Sequence, residues 1–256
     1  MESKNIIVEK NDHIAVITID HPPANTWDLD TTRQFNQAVD EVENDKRARV
    51  VILTGAGDAF FSAGFDVRDA GNAHTISPLA RALWTRIDRF PKPFVAAVNG
   101  HAMGGGLELA LCCHFRLMTE VPEYRIGLTE LNLGIIPGWG GTQRLSRIIG
   151  RAKALNMILF SKTVSPREAL DLGLVDRLAP PGKLMEEAME FARSIAERPP
   201  VAVHWVLKAM GAGIYEGIER GLEIEAQGSA AVRKTRDREE GFAAFLEKRK
   251  PVFRGE

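Results

Sequence analysis

At 256 residues the chain has room for one large domain with a sizeable core, and it is too long for a fold stapled by disulfides. A hydrophobic content of 45% and a charged content of 26% exclude a disordered, collagen-like or coiled-coil protein. With 33 basic against 34 acidic side chains the formal charge is -1, so no global positive field draws in nucleic acid or an anionic membrane, and an anionic ligand has to be held locally.

The amino terminus, MESKNIIVEK, is charged from its second residue and carries neither an apolar signal core nor a small-residue cleavage site. No uncharged apolar run reaches the roughly 18 residues of a membrane span. The two cysteines, Cys112 and Cys113, are neighbours, which suits neither a disulfide framework nor a zinc ligand set. A soluble cytoplasmic protein without a metal site is therefore expected.

In chain order, residues 14–19 read as a short strand, and Phe35, Ala38, Val39 and Val42 then recur at helical spacing, with Asp28 or Asp30 placed to cap. Residues 50–54 form an unbroken apolar run ending at Gly55, which reads as a buried strand. Leu79, Ala82, Leu83, Ile87 and Phe90 again have helical period until Pro91 and Pro93 stop it, and residues 94–98 are a second buried strand closed by Asn99-Gly100. Strand and helix in turn give an α/β fold. Farther on, Ser165-Pro166-Arg167-Glu168 has the form of a capping box with proline in the first turn. Leu174 and Val175 suggest a short strand, and residues 184–196 a helix ending at Pro199-Pro200. Beyond that double proline, residues 201–210, 217–232 and 239–250 all read as helices, so the chain divides into 1–199 and a helical 200–256.

Most catalytic signatures are missing: there is no G-x-G-x-x-G, Walker loop, G-x-S-x-G, H-E-x-x-H or C-x-x-C. Glycine is instead dense at Gly104-Gly105-Gly106, which opens an apolar helical run, and across residues 134–141. The free amides of a first helical turn can receive an oxyanion, and Glu108 follows one turn after Gly105. The plainer alternative is that these glycines allow close packing while Glu108 favours the helix dipole.

Taken together, AAVNGHAMGGGLELAL and TELNLGIIPGWGGTQRL resemble the signature of the crotonase superfamily, in its enoyl-CoA hydratase and isomerase branch. HPPAN, VVILTGAGDAFFSAGFDV, SPREALDLGLVD and EEGFAAFLEKRKPVF extend the likeness over nearly the whole chain. The resemblance implies a crotonase-like spiral of ββα units, followed by a C-terminal helical oligomerisation segment that forms a homotrimer or homohexamer. It implies that the amides of Phe65 and Gly105 form an oxyanion hole for a thioester carbonyl, that Glu108 activates water, and that Glu130 exchanges a proton at the α-carbon. No cofactor is needed, because coenzyme A is part of the substrate. Ala24, Ala63, Gly64, Asp66 and Arg68 are expected along the coenzyme A nucleotide. Lys250 is expected to reach a neighbouring subunit's ligand, and Trp139 and Phe245 to wall the acyl pocket.

The implied reaction is addition of water to a trans-2-enoyl-CoA, giving a 3-hydroxyacyl-CoA. A double-bond isomerase or cyclic dienoyl-CoA hydratase is the alternative within the class, and a non-catalytic coenzyme A-binding or RNA-binding relative the alternative outside it. Two departures from the usual pattern stand out. His114 takes a place where hydratases have aspartate, and the stretch 121–126 is about two residues longer than usual, which can shift Glu130. His114 and His101 are both read as structural.

Overall fold

The computed structural model describes residues 4–256. The apolar runs noted above form the strands Val50–Gly55 and Phe94–Val98, which are unbroken in hydrophobicity because both of their faces are covered. Val51, Leu53, Ala96 and Val98 face the main core. Val50, Ile52, Val95 and Ala97 face a second core, closed by Ala188, Ala192 and Ala196 of the helix Leu184–Ala196.

These strands lie in the middle of a six-stranded sheet whose spatial order follows the chain: Ile6–Asn11, Ile14–Ile19, Val50–Gly55, Phe94–Val98, Phe115–Thr119, Arg177–Ala179. The first pair is antiparallel and the rest are parallel. After a parallel strand the chain enters a short second strand and then a helix. Ile14–Ile19 leads to Thr26–Trp27 and the helix Leu29–Asn44, and Val50–Gly55 leads to Phe60–Ser62, Gly64–Phe65 and the helix Ala73–Asp88. Phe94–Val98 leads to His101–Met103 and the helix Gly105–Ala110, and Phe115–Thr119 leads to Ile126–Gly127 and the 3-10 turn Glu130–Leu133. The short strands pair in parallel with one another, so successive coils stack into the expected ββα spiral.

Local chemistry fixes several element ends. Of the two candidate caps for the first helix, Asp28 is the one used: its side chain accepts from the Thr31 N–H at 2.7 Å. The capping box at Ser165 and Glu168 forms in both directions.

Three boundaries differ from the sequence reading. The last strand is Arg177–Ala179, while Leu174 and Val175 are buried in the turn before it. Their hydrophobicity reports burial rather than strand. The helix expected over 201–210 runs from Pro200 to Glu216, because Gly211 and Gly213 do not stop it. Gly213 is instead a contact point: a Cβ on Gly221 of the helix Ile218–Val232 would lie 2.9 Å from the Gly213 Cα. The final helix is Arg236–Glu247, ended by Lys248 in a left-handed conformation (φ 56°).

The carboxy-terminal tail folds back on the spiral. Arg49 Nη1 donates to the carbonyls of Ala196 (2.9 Å) and Phe253 (3.1 Å), and Asp237 accepts the N–H groups of Arg254 (2.7 Å) and Gly255 (2.8 Å). Val206, Met210, Ile214, Ile218 and Leu222 stay exposed on the two long helices. Among the described residues, no helix is long and apolar enough to cross a membrane.

Candidate active site

The strand Gly64–Phe65 of the second coil packs against the start of the helix Gly105–Ala110 in the third. Gly105 opens its helix, so its N–H has no acceptor one turn back. Gly64 lies against it: a Cβ on Gly64 would stand 2.8 Å from the Gly105 nitrogen and 2.8 Å from the Met103 oxygen, and Gly64 has φ +84°. Only glycine meets both demands. Asp66 donates its N–H back to the Trp27 carbonyl at 3.1 Å, so the alternation of the strand turns the Phe65 N–H to the opposite side.

Glu108 follows on the helix headed by Gly105 and is 2% exposed. Its Oε1 accepts from the N–H of Trp139 (2.8 Å) and of Gly141 (2.6 Å). Burial raises its pKa, and these two donors, which favour the charged form, oppose the rise. Glu130 begins the 3-10 turn of the next coil and is 8% exposed. Neither of its carboxyl oxygens has a hydrogen-bond partner. Burial pushes its pKa up to about 7, with the residue's own N–H opposing the rise and the charge of Glu108 adding to it. One carboxylate is thus gripped by donors and the other is not, so the charged form is favoured more at Glu108 than at Glu130.

The stretch before Glu130 is tied to the coil beside it. Tyr124 donates its hydroxyl to the Asp58 carbonyl at 2.5 Å, the Arg125 N–H donates to His101 Nδ1 at 3.0 Å, and Ile126 stays in register with Ala102.

Both glutamates open on a cavity of about 640 Å³ lined also by Phe65, Gly105, Trp139 and Ile136. Behind its lining residue Trp139 runs a chain of edge-to-face aromatic rings, Trp139 to Trp84 to Trp27, with Phe65 against Trp139 at 6.3 Å between centroids. Trp84 Nε1 donates to the Gly105 carbonyl at 3.2 Å, and a Cβ on Gly105 would fall 2.3 Å from the Trp139 ring. The aromatic chain therefore fixes the position of the helix start. Val67, Leu133, Ile135 and Ile136 form an exposed apolar rim. Such a site can bind an apolar chain, hold a carbonyl oxygen on two N–H groups and move protons on two carboxyls.

The other expected residues are spread more widely. Ala63 borders the cavity, Gly64 packs against Gly105 beside it, and the Ala24 carbonyl accepts the Ala63 N–H at 2.9 Å. Arg68 is exposed, but its guanidinium is engaged by Asp66, with Nε to Oδ1 at 2.9 Å, and it stands among Asp28, Asp30 and Asp69. Phe245 is 82% exposed and lines a separate groove between the carboxy-terminal helices and the tail, not the acyl cavity of its own chain. Lys250 pairs with Glu197 at 2.8 Å, also away from the glutamates. His114 Nδ1 accepts the Phe94 N–H at 2.9 Å, and burial lowers its pKa to about 4, as suits a structural imidazole. The sequence reading passed over Arg144, which sits behind the residue 138–141 loop. A lone arginine in GGTQRL gives no signal of burial, yet it is 8% exposed.

Comparison with known proteins adds a family. Residues 9–256 match the family described as Enoyl-CoA hydratase/isomerase. The chain is 38% identical over 256 residues to the short-chain-enoyl-CoA hydratase of Clostridium acetobutylicum, covering 98% of this chain and 97% of that protein. It is 37% identical over 259 residues to the crotonyl-CoA hydratase of Syntrophomonas wolfei, covering 99% of each. A crystal structure of an enoyl-CoA hydratase from Bacillus anthracis superposes with a TM-score of 0.94 at 37% identity, covering 98% of this chain and all of that one.

Proposed function

We infer, from a chain that belongs to the enoyl-CoA hydratase/isomerase family along residues 9–256, that this protein is an enoyl-CoA hydratase adding water to a trans-2-enoyl-CoA. The observation that carries the mechanism is the contrast between two adjoining buried carboxyls, Glu108 held by two amide donors and Glu130 with none.

In this reading the thioester carbonyl sits on the N–H groups of Phe65 and Gly105. Glu108 Oε1 is occupied by its amide donors, so Oε2 is the oxygen that takes a proton from water as the water oxygen bonds to the β-carbon. The electron pair of the double bond moves to the thioester as an enolate, whose oxygen is stabilised by the two amides. One such donor contributes on the order of 3 kcal/mol to the transition state. Glu130, protonated near its pKa of about 7, delivers its proton to the α-carbon. The carboxyl pair ends with its proton on Glu108 rather than Glu130, and exchange through the next water resets it.

The apolar rim of Leu133, Ile135 and Ile136 supports an acyl chain as the occupant of the cavity. The exposed apolar side chains of the helices Pro200–Glu216 and Ile218–Val232 support association as a homotrimer or homohexamer, an arrangement in which Phe245 and Lys250 meet a neighbour's ligand.

The test is loss of the conjugated-thioester absorbance of crotonyl-CoA. The parent is expected to hydrate it, and Glu108→Gln to lose about 10²- to 10⁴-fold in kcat while retaining thioester binding. Hydration by Glu108→Gln at the parent rate would overturn the assignment.

A further inference from the structure

The two N–H groups on Glu108 Oε1 belong to the peptides 138–139 and 140–141. The peptide between them, 139–140, presents its carbonyl to the other side of the loop, where Arg144 Nη1 donates to it at 3.0 Å. Arg144 is itself held from behind: its Nε donates to Asp88 Oδ2 at 2.8 Å, and Asp88 Oδ2 also accepts the Tyr215 hydroxyl. Tyr215 lies near the end of the helix Pro200–Glu216, with the guanidinium groups of Arg89 and Arg147 over its ring at 4.7 and 4.9 Å. An unbroken series of bonds thus runs from the carboxy-terminal helices to Glu108.

A buried arginine–aspartate pair is a poor source of stability, because desolvation offsets most of the attraction. What the pair does here is directional. The planar guanidinium presents its donors in a fixed fork, one prong on Asp88 and another on the Trp139 carbonyl. Rotation of the middle peptide would break that bond and swing the flanking amides away from Glu108.

We propose that Arg144 is a positioning residue for the water-activating carboxylate, fixing the peptide between the two that grip Glu108 and tying it through Asp88 and Tyr215 to the helix Pro200–Glu216. The inference rests on the hydration reading above and names the residue that keeps its base in place. The charged groups around Glu108 that bear on its titration are Glu130, Arg144 and Arg81, with the buried Cys112 thiol alongside.

The experiment measures kcat, KM and the pH profile of kcat on crotonyl-CoA for the full-length parent, Arg144→Met, Arg144→Lys and Tyr215→Phe, with folding checked by circular dichroism. Arg144→Met should lower kcat on the order of 10- to 100-fold, as expected for sub-ångström to ångström displacement of a reacting group, with KM within about twofold of the parent. The acid limb should move to higher pH, since Glu108 loses donors that favour its charged form. Arg144→Lys should recover part of kcat, and Tyr215→Phe should shift the limb in the same direction by less.

A folded Arg144→Met whose acid limb stays at the parent value would overturn the proposal. If that variant does not fold, the same unmoved limb in Tyr215→Phe, which loses one half-buried hydroxyl, overturns it equally. Glu108→Gln separates the two failures. An active Glu108→Gln sinks the hydration mechanism itself, whereas an inactive one beside unmoved Arg144 and Tyr215 profiles sinks only the positioning role.

Discussion

Replacing Glu130 by glutamine should stabilise the protein, and by an amount that depends on pH. Both oxygens of this buried carboxyl lack partners, and its pKa is pushed from 4.5 to about 7 by burial and by Glu108. A group that binds its proton more tightly when folded stabilises the native state at low pH, and that contribution is lost as pH rises from the unfolded value through the folded one. Above pH 7 the native protein has to hold an ionised carboxylate where the neutral form is preferred, and unfolding releases it to water. A difference of about 2.5 units at 1.36 kcal/mol per unit amounts to about 3 kcal/mol at pH 8.5, and under about 1 kcal/mol at pH 5. Glutamine has the same shape and no charge, so Glu130→Gln should gain these amounts over the parent. Urea unfolding of both proteins at fixed concentration at the two pH values gives the comparison, with fluorescence of the four tryptophans as the probe. Two stability curves running parallel from pH 5 to 8.5 would refute a bare, desolvated carboxyl at this position.

The same two groups predict the shape of the activity profile. If, as proposed, the α-carbon proton comes from neutral Glu130 in the hydration direction, kcat/KM should fall as pH rises through about 7, while an acid limb marks protonation of Glu108. A profile flat from pH 6 to 9 would remove Glu130 as the donor. Gly105→Ala should damage the site through geometry, because its Cβ would lie 2.3 Å from the Trp139 ring and either the ring or the helix start must move. Misplacing that amide should lower kcat/KM by on the order of 100-fold, and a variant with parent kinetics would show that the Gly105 N–H does not bind the carbonyl.

How far the sequence could be read follows from the range of each interaction. The strands Val50–Gly55 and Phe94–Val98 announce themselves because burial on both faces leaves an unbroken apolar run, and Ser165 to Glu168 because a capping box is complete within four residues. Glu108 stands out as a carboxylate amid glycines and leucines. Glu130 acquired its role only by resemblance, since nothing local to LTELNLG reveals that its side chain turns inward beside Gly104. Arg144 was invisible because its partners, Asp88 and the Trp139 carbonyl, come together only when the helices Ala73–Asp88 and Gly141–Ile149 meet. The helix end at Glu216 was misjudged for a related reason. Gly213 looks like a stop until Gly221 of the helix Ile218–Val232 is packed against it.

The division of labour between main chain and side chain bears on how such a molecule can change. In the proposed mechanism the groups aimed at the thioester oxygen are peptide amides of residues 65 and 105, which survive almost any replacement of the side chains they carry, glycine at 64 and 105 excepted. In the same mechanism the proton traffic depends on two replaceable carboxyls from separate coils. Drift at position 108 or 130 would silence water addition yet leave intact a cleft that still polarises an activated acyl group. Such a descendant would be a receptive starting point for another reaction on the same kind of anion.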